Sequence, residues 1–267
     1  MIELEGNLRK MKSEFSAPIE YSMILSNHIL PINEHIGSQI KLEWSGIIHC
    51  IKCGKHTNKS FFQGFCYPCF ITAPESSECI LKPELCRAHE GISRDREWSE
   101  KYCLSNHFVY LSLTSGIKVG VTRYTQIPTR WIDQGAIKAL KIAKTPNRYL
   151  AGAIEVKLKE FVSDRTSWQK MLKNDVNNDL ELSTYRATLK ERLPDELKAY
   201  ILNKEKEKVL QYPIDIYPKK VKSINFEKVK IFEGELTGIK GQYIYIDNQF
   251  VINLRKYSGY YFKITLI

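Results

Sequence analysis

The stretch CIKCGKHTNKSFFQGFCYPC, residues 50–69, contains two closely spaced cysteine pairs, Cys50 with Cys53 and Cys66 with Cys69. Two residues between a pair of thiols allow one turn to direct both sulfurs toward the same point. Two such turns form a tetrahedral four-sulfur cage, which is typical of structural zinc sites. An iron–sulfur cluster, a redox pair and coincidence are the alternatives that this spacing leaves open.

Three further cysteines, Cys79, Cys86 and Cys103, are too few to surround a tetrahedral zinc ion. His89 lies three residues after Cys86 and would complete a Cys3His site, so that seven cysteines and one histidine would hold two zinc ions. Alternatively, the three cysteines are buried, inert thiols. Three other histidines could take the place of His89: His49, His56 and His107.

The length of 267 residues and the hydrophobic content of 43% allow two or three small domains with buried cores. Residues 1–15 mix charged and apolar side chains without a signal-peptide core, and no run approaches the roughly 18 apolar residues of a membrane span. We therefore expect a cytoplasmic protein without a membrane partner. In a reducing compartment, paired cysteines are better interpreted as metal ligands than as disulfides.

The chain is basic, with 40 Lys and Arg against 30 Asp and Glu and a formal net charge of +10. Such a balance favours polyanionic partners. Together with zinc modules and 11% aromatic residues, it predicts a nucleic-acid partner. RNA is favoured over DNA because zinc modules and small β-barrels with stacking aromatics suit exposed bases. The oligomeric state and the target sequence are left open.

The pattern along the chain predicts an α+β protein with β-rich ends. Residues 40–44 alternate apolar and polar side chains, and residues 242–252 resemble a hairpin that turns at Asp247 and Asn248. The two ends of the chain share similar residues in the same order. A degenerate repeat, two halves of one barrel, and chance are the three explanations for this similarity. We expect five segments: a β-rich N-terminal module at 1–48, a zinc-binding region at 49–104, a mixed core at 105–175, a helical segment and linker at 176–222, and a β-rich C-terminal module at 223–267.

The mixed core has a β-β-α-β-α pattern. Residues 107–114 and 117–122 predict a hairpin that turns at Ser115-Gly116. A helix is predicted to begin near Pro128, a third strand to span 137–144, and a longer helix to span 147–162.

This order and two short motifs resemble the GIY-YIG nucleases. Phe108-Val109-Tyr110-Leu111 is similar to the first motif, and Lys118-Val119-Gly120-Val121-Thr122 is similar to the second. The resemblance implies that Tyr110 activates or orients water, that Arg130 neutralises the phosphate and that Glu155 holds one Mg²⁺. Lys118 departs from the pattern because a tyrosine is usual there, and Gly116 closes an unusually short hairpin.

Basic residues around this core could follow a nucleic-acid backbone by charge. Alternate lysines on the predicted strand 137–144 would also protect a sheet edge from aggregation. We therefore expect a zinc-containing nucleic-acid-binding protein, with a Mg²⁺-dependent endonuclease and a noncatalytic protein-interaction scaffold as the alternatives. The predicted contacts to nucleic acid are Lys118, Arg123, Lys138, Lys141 and Arg148.

Several longer strings resemble a single family along most of the chain. They include CYPCF at 66–70, PESSECILKPELCRAHEGISRD at 74–95, PTRWIDQGA at 128–136 and NRYLAGAIEV at 147–156. On these strings the chain is identified as a member of the family labelled domain of unknown function 2797. The resemblance implies the two metal sites and the architecture, and it implies no particular reaction.

Overall fold

The computed structural model describes residues 1–267, and it mixes many strands with few, short helices. The strands are β1 Ile2–Asn7, β2 Lys12–Glu14, β3 Glu20–Leu25, β4 His28–Pro31, β5 Gln39–Ile48, β6 His107–Leu113, β7 Ile117–Arg123, β8 Lys138–Thr145, β9 Lys208–Val209, β10 Lys222–Ser223, β11 Ile231–Lys240, β12 Tyr243–Ile246, β13 Phe250–Asn253 and β14 Tyr260–Leu266. The helices are α1 Tyr67–Thr72, α2 Arg96–Tyr102, α3 Thr129–Asp133, α4 Arg148–Leu158, α5 Trp168–Leu172, α6 Leu182–Glu191 and α7 Asp195–Lys198. No helix combines the length and the apolar composition that a membrane span requires.

Contacts divide the chain into two compact units, of which the first comprises residues 1–71 and 211–267. Its main sheet has the order β1-β14-β5-β11-β12-β13-β10, so strands from both ends of the chain share one sheet. In β14 every second side chain is buried, as expected of a strand with one face on a core. Ile264 of β14 pairs with Leu42 of β5, and both are buried. A smaller sheet has the order β2-β3-β4.

The hairpin between β12 and β13 turns at Asp247 and Asn248, as the sequence predicts. Both residues have positive φ, at 51° and 49°. Asn and Asp tolerate this left-handed conformation better than other side chains, and two such residues give the turn whose twist matches paired strands. The turn residues therefore fix the register of this hairpin.

The second unit comprises residues 72–210 and contains a sheet with the order β7-β6-β8-β9. The elements β6, β7, α3, β8 and α4 follow one another in the predicted β-β-α-β-α order. Val109, Leu111 and Leu113 of β6 alternate onto one face and form a core with Ile154 and Leu158 of α4. The five-segment division of the chain stays a prediction.

Helix α4 carries a predicted site residue and lies against the turn at Pro83–Leu85. It begins after Asn147, whose side-chain oxygen accepts a hydrogen bond from the Leu150 amide at 2.9 Å. A Cβ atom added at Gly152 would lie 2.1 Å from the Glu84 backbone nitrogen. Only glycine permits this approach, so Gly152 allows the turn to dock on α4.

Candidate functional site

The first unit contains the four-cysteine cluster. The sulfurs of Cys50, Cys53, Cys66 and Cys69 all lie within 4.8 Å of one another, and the Cys53 and Cys66 sulfurs are 3.8 Å apart. Cys50 and Cys66 are buried, whereas Cys53 is exposed. Four thiols at these distances could hold one zinc ion in a tetrahedral cage.

A backbone turn positions the first pair of thiols. The Gly54 amide donates to the Cys50 carbonyl at 2.9 Å, and Gly54 has a φ of +73°. The Lys52 amide donates to the Cys50 sulfur at 3.4 Å. Burial raises the pKa of Cys50, but backbone amides of Cys53, Cys66 and Lys52 outweigh burial and lower it to about 6. Amide donors of this kind stabilise the thiolate form that binds metal.

The second unit contains a three-cysteine cluster. The sulfurs of Cys79, Cys86 and Cys103 lie within 4.8 Å of one another and could also hold a zinc ion. Cys79 lies in a short 3-10 helix, Cys86 follows another, and Cys103 caps the end of α2. This cluster is therefore assembled from three separate turns rather than from two paired loops.

The predicted fourth ligand, His89, lies outside the group of three sulfurs. Its ring stacks on Tyr149 with a centroid distance of 4.4 Å, and its Nε2 atom lies 3.7 Å from Glu90 Oε1. The alternative His107 is buried, its Nδ1 atom lies 2.7 Å from the Ser105 carbonyl oxygen, and it is also absent from the group.

The two remaining alternatives, His49 and His56, lie beside each other in the first unit. An isolated backbone bridge joins them, and their ring centroids are 6.3 Å apart. The His49 Nδ1 atom lies 2.9 Å from the Asn7 side-chain oxygen. Neither histidine belongs to a group of three or more potential metal ligands.

Arg148, a predicted nucleic-acid contact, is buried beside the three-cysteine cluster. Its guanidinium donates to the backbone carbonyls of Cys79 at 3.4 Å and Tyr102 at 3.3 Å. Hydrogen bonds from Cys79 and Cys86 lower the pKa of Cys103, and the nearby positive charge of Arg148 lowers it further. The Arg148 charge therefore favours a thiolate within the cluster.

Tyr110 and Gly120 face each other across the β6–β7 hairpin. A Cβ atom added at Gly120 would lie 2.6 Å from the Tyr110 hydroxyl oxygen. The tyrosine ring therefore needs a glycine opposite it, which gives the Gly120 of the second motif a physical role. Burial raises the pKa of Tyr110, so its hydroxyl stays protonated at neutral pH.

Gln134, at the end of α3, links Tyr110 to Arg130. With its amide turned to give each atom a compatible partner, its nitrogen donates to the Tyr110 hydroxyl at 2.8 Å. Its oxygen then accepts from the Arg130 Nε and Nη2 atoms, both at 3.2 Å. Gln134 was not among the predicted site residues, and its position just before Gly135 at the helix end is its only signal in the sequence.

Lys118 is buried and lies within electrostatic range of Arg130 and of two carboxylates. Desolvation lowers the pKa of Lys118 to about 8, and the positive charge of Arg130 adds to this effect. The charges of Asp164 and Glu155 oppose it. The Lys118 side chain thus does not extend freely into solvent, and the positive charge of Arg130 acts on it where it is desolvated.

Glu155 is buried on α4, where Lys159 separates it from Asp164. The Lys159 Nζ atom lies 3.5 Å from a Glu155 oxygen and 3.4 Å from an Asp164 oxygen. Burial raises the pKa of Glu155, and the charge and hydrogen bond of Lys159 oppose this effect without cancelling it. The nearby charges of Glu84 and Asp164 add to the increase. A Glu84 oxygen is buried without a hydrogen bond. The sequence gives no signal for Glu84, which reaches this place only because its turn docks on α4.

Each of the other predicted nucleic-acid contacts interacts with another residue of the protein. The Arg123 guanidinium lies 4.5 Å from the centroid of the Tyr102 ring, and the Lys141 Nζ atom lies 3.0 Å from a Glu205 oxygen. The Lys138 Nζ atom donates to the Asn178 carbonyl at 2.6 Å. These cations have partners within the protein and do not form an evident row of free charges.

These features define an α+β protein with two cysteine clusters, each of which could hold a zinc ion. The chain belongs to the family described as "Protein of unknown function (DUF2797)", whose sequence model matches residues 37–262. The family resemblance expected from the quoted strings is therefore confirmed. No curated protein and no solved structure matches the chain.

Proposed function

We propose that this chain is a zinc-containing nucleic-acid-binding protein that recognises a phosphodiester at the site formed by Lys118 and Arg130. The observation that carries the proposal is the burial of the Lys118 ammonium, whose pKa is lowered by desolvation and by the positive charge of Arg130. Two like charges in such a place repel each other and lose hydration. An anion between them removes both costs, and a phosphate group fits the planar donors of an arginine.

Tyr110 and Gln134 support this site by holding the arginine. Gln134 accepts from two nitrogens of Arg130, and its own orientation is maintained by the Tyr110 hydroxyl. A guanidinium held before the ligand arrives loses less side-chain entropy on binding. Tyr110 is fully buried, so we assign it the positioning of Arg130 rather than contact with substrate.

The two cysteine clusters serve this function as zinc sites that fix loops. Four thiolates around zinc form a closed structural site, and metal binding then contributes directly to folding. The net charge of +10 also favours a polyanionic ligand, because it attracts anions to the protein as a whole. RNA is the first ligand to test, because zinc modules and stacking aromatics suit exposed bases. DNA of the same sequence is tested beside it.

Anisotropy of a fluorescently labelled single-stranded RNA, and of the matching DNA, tests the proposal over a range of salt concentrations. We expect Lys118→Ala and Arg130→Ala each to weaken binding by about tenfold and to reduce the salt slope by about 1. Arg96→Ala is the matched control, because that side chain is 86% exposed, carries the same charge and pairs with Glu100. An equal loss in all three variants, or no binding at low salt, would contradict the proposal, and the latter would favour an interaction scaffold.

A second candidate function is Mg²⁺-dependent cleavage of the bound phosphodiester. The observation that favours it is that Gln134 links Arg130 to the Tyr110 hydroxyl and that the Glu155 charge acts on the same hydroxyl, within a β-β-α-β-α core. This arrangement supports the resemblance to the GIY-YIG nucleases. Glu155 would hold the ion, with Asp164 nearby, and a bound divalent cation would polarise the phosphoryl group.

The local charges constrain this candidate. The carboxylates do not form a group of three ligand atoms within 4.8 Å, so phosphate and water would complete the coordination. Lys159 would have to leave the position between Glu155 and Asp164 that it occupies. Arg130 would stabilise charge on the phosphate, and Lys118 would bind a second oxygen.

Incubation of labelled RNA and DNA with the protein and Mg²⁺ tests this second candidate. We expect Glu155→Gln to reduce cleavage by about 10²–10³-fold while binding is retained. Glu160→Gln is the control, because Glu160 is an exposed carboxylate just beyond the same helix. If the unaltered protein cleaves neither nucleic acid, the cleavage function is contradicted, whereas the binding proposal is unaffected.

A further inference from the structure

The three-cysteine cluster opens onto a cleft with a volume of about 330 Å³. All three cysteines line this cleft, together with charged and apolar side chains that include Arg94 and Trp98. A closed structural zinc site has four protein ligands, whereas a site with three protein ligands keeps one position for solvent or another molecule. Thiols that line a cleft match the second arrangement.

We infer that the three-cysteine cluster holds a zinc ion whose fourth ligand is exchangeable and enters from this cleft. The protein itself provides no fourth donor in place. No histidine or carboxylate joins the three sulfurs within 4.8 Å. His89 is held by its stacking on Tyr149, and the Nδ1 atom of His107 lies against the Ser105 carbonyl oxygen.

The charges around the cluster indicate the chemical class of the ligand. Three thiolates and one Zn²⁺ carry a net charge of −1, which the buried Arg148 guanidinium offsets. Arg87 and Arg94 line the cleft together with Glu78 and Asp95, and Arg87 is paired with Glu90 at 2.8 Å. Arg94 donates to the Ala73 carbonyl and keeps its positive charge at the cleft, where it can offset part of one more negative charge. A soft thiolate suits a metal that already has three sulfur ligands. Trp98 and Ile92 provide an apolar wall for a small organic substituent.

The ligand is therefore a small thiol, which replaces a water molecule on the metal. In this exchange one metal–sulfur bond forms and one metal–oxygen bond breaks. The thiol proton leaves to solvent, and the displaced water follows it. No electron is transferred, so the step needs neither an oxidant nor a reductant.

Cobalt substitution of the full-length protein tests this inference, because Co²⁺ in a sulfur site has a charge-transfer absorbance that grows with the number of bound thiolates. With both clusters loaded, the chain supplies seven thiolates, and one bound 2-mercaptoethanol makes eight. We expect 2-mercaptoethanol to raise the absorbance by about one part in seven. An unchanged spectrum would overturn the inference, because a closed site has no position for the added thiol.

Variants identify the cluster that responds. We expect Cys86→Ser to lose one metal equivalent and the response to thiol, and Cys69→Ser to lose one equivalent and keep the response. His89→Ala and His107→Gln test the protein ligands directly, and they remain informative if a cysteine variant fails to fold. We expect the spectrum and metal content of both to match those of the unaltered protein. A shifted spectrum or a lost metal in either one would show a histidine ligand and overturn the inference.

Discussion

The two cysteine clusters differ in how the chain brings their sulfurs together. In the first, two pairs of cysteines each belong to one local turn, and all four sulfurs meet. In the second, Cys79, Cys86 and Cys103 come from three separate turns, and the cluster stops at three sulfurs beside a cleft. The comparison teaches that short spacing specifies a complete site, whereas scattered ligands depend on how distant segments pack.

The largest expected difference between the clusters is in stability. We expect Cys66→Ser to lower the free energy of unfolding of the first unit by more than about 5 kcal/mol, because structural zinc can contribute roughly 10–16 kcal/mol. Cys86→Ser should cost the second unit less, since its turns also pack on α4 through Gly152. Denaturant unfolding with metal analysis measures both. Equal losses would remove the distinction between the clusters.

The docking of the second cluster on α4 can be tested through Gly152. A methyl group there would collide with the Glu84 backbone, so we expect Gly152→Ala to destabilise the protein by about 1–3 kcal/mol. Gly116→Ala is the matched control, because a Cβ atom at Gly116 meets nothing within 4 Å. Thermal unfolding compares the two variants. A Gly152→Ala protein as stable as the control would mean that the turn does not rest on this helix.

Metal removal should distinguish a closed site from an open one. We expect a chelator to remove one zinc equivalent about tenfold faster than the other, because a chelator can attack an exchangeable position before any thiolate leaves. The fast phase should disappear in Cys86→Ser and persist in Cys69→Ser. A chromogenic zinc indicator follows the release. A single rate for both ions would argue that the two sites are equally closed.

The smallest expected effect is a pH dependence of RNA affinity. It should arise at the proposed phosphate site, which consists of Lys118 and Arg130, and not at the cysteine clusters. Lys118 has a pKa lowered to about 8, so its charge is present at pH 7 and is lost as the pH rises toward 9. We expect RNA affinity in Mg²⁺-free buffer to fall by about fivefold over this range, since one charge-assisted contact contributes roughly 1 kcal/mol.

Two variants assign this pH dependence to its source. Lys118→Arg should bind RNA without a change between pH 7 and pH 9, because a guanidinium stays charged throughout. Cys69→Ser should keep the change, because its thiol belongs to the four-cysteine cluster and not to the turn that docks on α4. Anisotropy at each pH measures both variants. A pH dependence that survives in Lys118→Arg would assign the titration to another group.

Local patterns in the sequence were sufficient for several elements. Alternation and turn residues predicted the β6–β7 hairpin and the turn at Asp247 and Asn248, because these signals act within a few residues. The predicted helix over 147–162 ends at Leu158 in the structure. The Phe161 and Val162 amides both donate to the Leu158 carbonyl, which tightens the last turn before Ser163 pairs with Lys118 of β7.

Interactions between distant segments could not be predicted in the same way. His89 has suitable spacing for a metal ligand, but its stacking on Tyr149 depends on α4, which is far along the chain. Lys141 is a predicted nucleic-acid contact, and in the structure it pairs with Glu205. Glu84 approaches Glu155 only through the turn that rests on Gly152. In each case the partner lies in another segment and leaves no local pattern.

The contact at Gly152 has a mechanical consequence. The Pro83–Leu85 turn immediately precedes Cys86, and Gly152 lies three residues, or about one helical turn, before Glu155. At Gly152 no side chain lies between the turn and the helix, so a movement of the turn toward α4 would displace the helix. A rearrangement of the sulfur ligands would consequently be transmitted as a shift of the carboxylate on α4, and metal binding at the cluster would then alter the position of Glu155.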